Sequence, residues 1–161
     1  MTSRPIHCLI LACGNTLRGD DGVGPMLAEW AERKFGTRDD VVVLSRQQWT
    51  PELAEDVAGA RTVLFLDCGM GQQAGTVRVV PIEAANSIQG LATHHLGAGE
   101  LVALSKDLYN SIPTTSLMLT VGAGAVGMSE ELSPAVISAL PSAYRQLEEC
   151  VNRLLSSLKT A

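Results

Sequence analysis

Residues 6 to 12 are almost continuously apolar, Ile-His-Cys-Leu-Ile-Leu-Ala, the pattern of a strand buried on both faces of a parallel sheet. Glycines and polar residues then interrupt it. Val23, Met26, Leu27, Trp30, Ala31 and Phe35 follow at helical spacing, with Pro25 near the start and Gly36 at the end, which predicts a first helix. The run from Val41 to Leu44 predicts a second, short strand. Thr50-Pro51-Glu52 then reads as an N-cap, a first-turn proline and an acid favoured by the helix dipole, opening a brief helix to about Ala58.

Residues 62 to 66, Thr-Val-Leu-Phe-Leu, carry the strongest buried-strand signal, and the run ends in the charge of Asp67. Only Gly69 to Gly75 separates it from the next apolar run at residues 76 to 80. That gap is too short for the helix of a parallel crossover, so residues 76 to 80 are expected to pair antiparallel. The pattern weakens from Pro81 until Thr93-His94-His95, after which Leu96, Leu101, Val102, Leu104 and Leu108 suggest another helix. Residues 115 to 121 make a last strand, closed by the glycine-rich loop Gly122 to Gly127. A final helical region starts near Ser133-Pro134, is expected to kink or restart at Pro141, and ends in the apolar stripe Leu147, Cys150, Val151, Leu154, Leu155 and Leu158. Strands alternating with helices predict a three-layer α/β/α sandwich, with a mostly parallel twisted sheet and one antiparallel strand.

Composition narrows the partners. At 161 residues and 46% hydrophobic content the chain fits a single domain spanning residues 1 to 161. A formal net charge of −5 without a Lys/Arg cluster argues against nucleic acid. The four cysteines, Cys8, Cys13, Cys68 and Cys150, contain no Cys-x-x-Cys pair, so they read as buried thiols in a reducing compartment. Arg4 and the apolar stretch after it look superficially like a signal peptide, but Gly14-Asn15 interrupts too soon, and no other run approaches membrane-spanning length. The expectation is a soluble cytoplasmic protein without a membrane partner.

Chemistry gathers at the loops that follow strands or precede helices: Asp20 and Asp21, then Asp67, then His94 and His95. In a parallel sheet such loops converge on one edge. Two carboxylates and an imidazole suit a divalent transition metal, and the imidazole favours zinc or nickel over magnesium or calcium. Blander roles exist for each member. An acidic pair can cap the next helix, Asp67 can open a turn with Gly69, and the histidines can sit exposed before a helix. His7 reads as a structural residue within the first strand, and Cys13 and Cys68 as packing residues flanking the site. A Gly-x-Ser-x-Gly elbow, a His-Glu-x-x-His helix, a P-loop and a dinucleotide turn are all missing.

Gly14-Asn15-Thr16-Leu17-Arg18-Gly19-Asp20-Asp21-Gly22-Val23-Gly24 matches, at every fixed position, the motif Gly-Asn-x-Leu-x-x-Asp-(Asp/Glu)-Gly-x-Gly. With a strand ending in Asp67, Thr93-His94 before a helix, and Leu132 to Val136 as Leu-Ser-Pro-x-Val, the chain resembles the hydrogenase maturation endopeptidases nearly end to end. These hydrolases trim the C-terminus of the nickel-iron hydrogenase large subunit. The departures are Ala12 for a frequent glycine and Cys68 where alanine is common.

The resemblance implies that Asp21, Asp67 and His94 form the catalytic and metal-binding set, with Asp20 in support and His95 as a neighbouring imidazole able to replace or join His94. It implies an aspartic-type, metal-dependent peptidase. The nickel is supplied by the precursor of a nickel-iron hydrogenase large subunit, and a short C-terminal peptide is removed after nickel insertion. Specificity is expected in the loops around the site, including Ile82 to Gly90. Two other readings share parts of the pattern. A phosphoacceptor receiver domain also carries an acidic pair and a strand-end Asp, but needs a lysine where this chain has Gly122-Ala123-Gly124. A non-cleaving protein that senses nickel or escorts the precursor would keep the same ligands.

Overall fold

A computed structural model describes residues 5–90 and 96–157. Its elements follow in the order β1 (Ile6–Cys13), a 3-10 turn (Gly19–Gly22), α1 (Val23–Phe35), β2 (Val41–Arg46), α2 (Leu53–Ala58), β3 (Ala60–Gly69), β4 (Val77–Pro81), α3 (Ala98–Tyr109), β5 (Thr115–Gly122) and α4 (Pro134–Ser156). The strands form one sheet in the order β2-β1-β3-β5-β4. The pairs β1–β2, β1–β3 and β3–β5 are parallel, and β4 lies antiparallel on β5. The mostly parallel sheet with one antiparallel edge strand is therefore present.

Strand alternation divides the core in two. Cys8, Ile10, Ala12, Leu64 and Leu66 pack with α1 and α4, while Leu9, Leu11, Val63 and Phe65 pack with α2 and α3. Burial on both faces explains why these strands read as unbroken apolar runs. Each fully buried Leu or Phe here contributes roughly 1.5–3 kcal/mol relative to exposure. The first layer is tied by Trp30 of α1 stacked on Tyr144 of α4 at 5.1 Å, and by Lys34 Nζ 3.3 Å from Glu148 Oε1.

Three local expectations are corrected. The second helix is capped at Glu52 without a side-chain hydrogen bond, and Thr50 instead offers its carbonyl to the Leu53 amide at 3.1 Å. The helix therefore starts two residues later than Thr50 as N-cap would place it. The final helix runs unbroken from Pro134 to Ser156 through Pro141. Pro141 and Ile137, whose carbonyl loses its usual donor, are both exposed, so water can satisfy what the proline leaves open. Asp67 lies within β3, which extends two residues further to Gly69, because Asp67 to Gly69 still pair with Thr120 to Gly122 of β5.

The sheet order sets where a ligand can enter. From β1 the chain moves outward to β2 through α1, then returns across β1 to β3 through α2 on the opposite face. The strand order thus reverses beside β1 and β3. Crevices at the carboxyl ends of such strands are where open α/β sheets bind ligands.

Candidate functional site

The loop after β1 is held by its own backbone. Gly14 has φ +147°, and a Cβ there would collide with the Asp21 carbonyl, so only glycine lets the chain turn back so tightly. The Asn15 amide donates to Asp21 Oδ2 at 2.8 Å. The Asn15 side chain closes an Asx turn by accepting the Leu17 amide at 2.9 Å. The motif's Gly and Asn therefore fix where the Asp21 carboxylate sits.

Asp20 does something different. It is fully buried, and its carboxylate accepts the amides of Gly124 at 2.6 Å, Ala125 at 2.9 Å and Ser133 at 2.7 Å, with the Ser133 hydroxyl at 2.8 Å. Burial pushes this carboxyl up, but the hydrogen bonds from Ser133, Ala125 and Gly124 outweigh it and hold it below the ordinary value. Ser133 is the N-cap residue of α4, so the Asp20 charge faces the positive end of that helix. Asp20 and Asp21 lie inside the 3-10 turn, and neither caps α1, whose start has no side-chain cap hydrogen bond.

Asp67 and Cys68 come from the end of β3. The Cys68 amide donates to Asp67 Oδ1 at 2.8 Å, and the Cys68 thiol points at Asp21 Oδ1 from 3.4 Å. Ligand atoms of Asp21, Asp67 and Cys68 all lie within 4.8 Å of one another. Two carboxylates and one sulfur at that separation are able to hold a metal ion of the nickel, zinc or cobalt class. Burial, aided by the nearby Asp21 charge, pushes the Asp67 carboxyl up to about 7. Burial likewise pushes the Cys13 and Cys68 thiols up to about 12, which makes both poor nucleophiles in the metal-free protein.

Two openings meet at Asp67. One, of about 230 Å³, is lined by Cys13, Asn15, Arg18, Asp21, Gln47, Asp67, Cys68 and Met70. The other, of about 280 Å³, is bounded by Cys13, Trp49, Asp67, Leu96 and Met118. The architecture around them has solved counterparts. The chain is similar in fold to hydrogenase maturation endopeptidases. The hydrogenase maturating endopeptidase HybD from E. coli superposes with a TM-score of 0.72 at 18% identity, covering 91% of this chain and 92% of that one. The [NiFe] hydrogenase maturation protease HycI from Thermococcus kodakarensis gives 0.68 at 22% identity over 94% and 93%. A hydrogenase 2 maturation peptidase from a Thaumarchaeota archaeon gives 0.65 at 23% identity over 90% and 97%. No family model matches the chain, and no curated protein matches it.

Of the residues expected from sequence, Asp21 and Asp67 come together, while Asp20 turns away to the loop before α4. His94 and His95 lie outside the described residues. Leu96, next after them in the chain, lines the same opening as Asp67. His7 sits at the start of β1 with Nδ1 3.6 Å from an Asp40 carboxylate oxygen, in keeping with a structural residue. Cys68 is the member that sequence reasoning set aside as packing. The available signal was its adjacency to Asp67 near the carboxyl end of β3, where the loop carrying Asp21 meets the sheet. No described helix is long and apolar enough to cross a membrane.

Proposed function

We propose that this protein is a hydrogenase maturation endopeptidase acting as a single domain. It removes a short C-terminal peptide from the precursor of a nickel-iron hydrogenase large subunit after nickel has been inserted. The observation that carries this reading is the meeting of Asp21 and Asp67 at the sheet's switch point, on a fold similar to solved proteases of that kind. The resemblance of the Gly14–Gly24 motif adds to it.

In this reading Asp21, Asp67 and His94 engage the nickel carried by the precursor, which is substrate rather than resident cofactor. The metal supplies Lewis acidity at the scissile carbonyl or an activated water. Asp67, protonated in part near neutral pH, gives up its proton on meeting the cation. Asp21 is held ready by the Asn15 amide, so little reorganisation accompanies engagement. Asp20 supports the site by fixing the loop before α4 through its hydrogen bonds to Gly124, Ala125 and Ser133.

The test mixes the purified protein with nickel-loaded and nickel-free precursor and weighs the products by mass spectrometry. Loss of a C-terminal peptide from the loaded form alone is expected. Cleavage of neither form, or equal cleavage of both, overturns the reading.

A further inference from the structure

We infer that Cys68 is a direct sulfur ligand of the metal engaged by Asp21 and Asp67, making the site a mixed carboxylate–thiolate centre. The inference deepens the proposed function and rests on that reading for the metal's origin, but not for the chemistry of the donor set. Its basis is placement. The Cys68 side chain is buried, yet its sulfur faces an Asp21 oxygen at 3.4 Å and falls within 4.8 Å of the Asp67 ligand atom. A cation bridging the two carboxylates would therefore lie within bonding reach of the sulfur after shifts smaller than a side-chain rotation.

The other thiol in the pocket makes a useful contrast. Cys13 also lines the opening, but its sulfur contacts the Gln47 carbonyl at 3.4 Å and is not among the clustered ligand atoms. The backbone also favours Cys68 for this role. Its amide already holds Asp67 Oδ1, and hydrogen bonds of this kind orient metal-ligating carboxylates.

On binding, the S–H bond of Cys68 breaks and a sulfur–metal bond forms. The proton leaves to water through the open pocket, and no atom changes oxidation state. A coordinating divalent metal deprotonates a thiol outright, so the buried, protonated state of the free protein is no obstacle. Sulfur in the donor set selects nickel, cobalt or zinc over magnesium and calcium.

Cobalt(II) and nickel(II) salts titrated into the purified full-length protein test this without the precursor. The wild type is expected to develop sulfur-to-metal charge-transfer absorption in the near ultraviolet. Cys68→Ser should lose that band and bind about tenfold or more weakly, since even an indirect supporting contact is worth ~10–100-fold. Cys13→Ala should keep the band. Metal binding by the wild type without the band, retention of the band in Cys68→Ser, or no binding at all each overturns the inference. If Cys68→Ser fails to fold, the Cys13→Ala spectrum decides the point, since Cys68 is then the thiol left in that opening: loss of the band there overturns the inference. The nickel-dependent precursor assay reads the peptidase function separately, so either idea can fail while the other stands.

Discussion

The Asp20 carboxylate and the Ser133 backbone amide, 113 residues apart in the chain, meet at 2.7 Å. That contact joins the loop after β1 to the start of α4, so two segments distant in the chain share one buried charge.

Replacing Asp20 by Ala leaves the amides of Gly124, Ala125 and Ser133 without their acceptor, at a cost on the order of 3 kcal/mol or more. Asp20→Asn should recover part of this, since one oxygen remains while its NH₂ faces donors. The acid side follows from the lowered folded value. The stabilisation is fully present above the ordinary carboxyl value of ~3.9 and is lost as pH falls through the lower folded value. Urea melts at pH 7 and pH 3 check this: the gap between wild type and Asp20→Asn should be wide at pH 7 and narrow at pH 3.

Asp67 behaves in the opposite sense. Its folded value of about 7 lies above the unfolded one, so the folded state keeps a proton that the unfolded chain releases. Stability therefore falls as pH rises from ~4 to about 7. Asp67→Asn removes that loss and should stabilise the protein at pH 8 by on the order of 2 kcal/mol, less than full linkage because the carboxyl faces an open pocket. The same variant should abolish precursor processing. Thermal melts at pH 5 and pH 8, with the processing assay beside them, test both halves. An equal gap at the two pH values would remove the argument.

Metal affinity carries the same sign. Because the cation must displace the Asp67 proton, affinity for nickel(II) should weaken as pH falls below about 7. Calorimetry at pH 6 and pH 8 in two buffers of different ionisation enthalpy should detect proton release. Removing the metal with a chelator should restore the starting stability.

How much of this was legible in the chain depends on distance. The strand runs such as Leu9 to Leu11 and Val63 to Leu66 declared a doubly covered sheet, because burial on both faces leaves no polar positions. The short segment from Gly69 to Gly75 left no room for a crossover helix and forced β4 to be antiparallel. The role of Asp20 was hidden, since its partners lie 104 to 113 residues away and no local pattern encodes such a contact. Cys68 was hidden by a rule that holds within strands. Neighbours 67 and 68 should face opposite sides, yet Asp21 reaches the strand end from above and meets both. Pro141 misled for a simpler reason: a proline on the wet face of a long amphipathic helix loses one hydrogen bond without ending the helix.

The last prediction concerns the loop that aims Asp21. Gly14→Ala places a Cβ against the Asp21 carbonyl and 2.9 Å from Pro25 Cδ, at φ +147°, a region that side-chain-bearing residues rarely enter. The strain is on the order of 1–3 kcal/mol from the backbone alone, and relieving it must move the Asp21 backbone. Since the Asn15 amide, one residue along, is what holds Asp21 Oδ2, the carboxylate should leave its position opposite Asp67. The expected outcome is a lowered Tm together with loss of metal binding. Gly71→Ala serves as the comparison, because it also has positive φ, +78°, but its Cβ would meet nothing within 4 Å. That variant should lose a similar strain energy in thermal melts while keeping the wild-type metal affinity. Equal affinity in Gly14→Ala and Gly71→Ala would show that the first loop does not position the site.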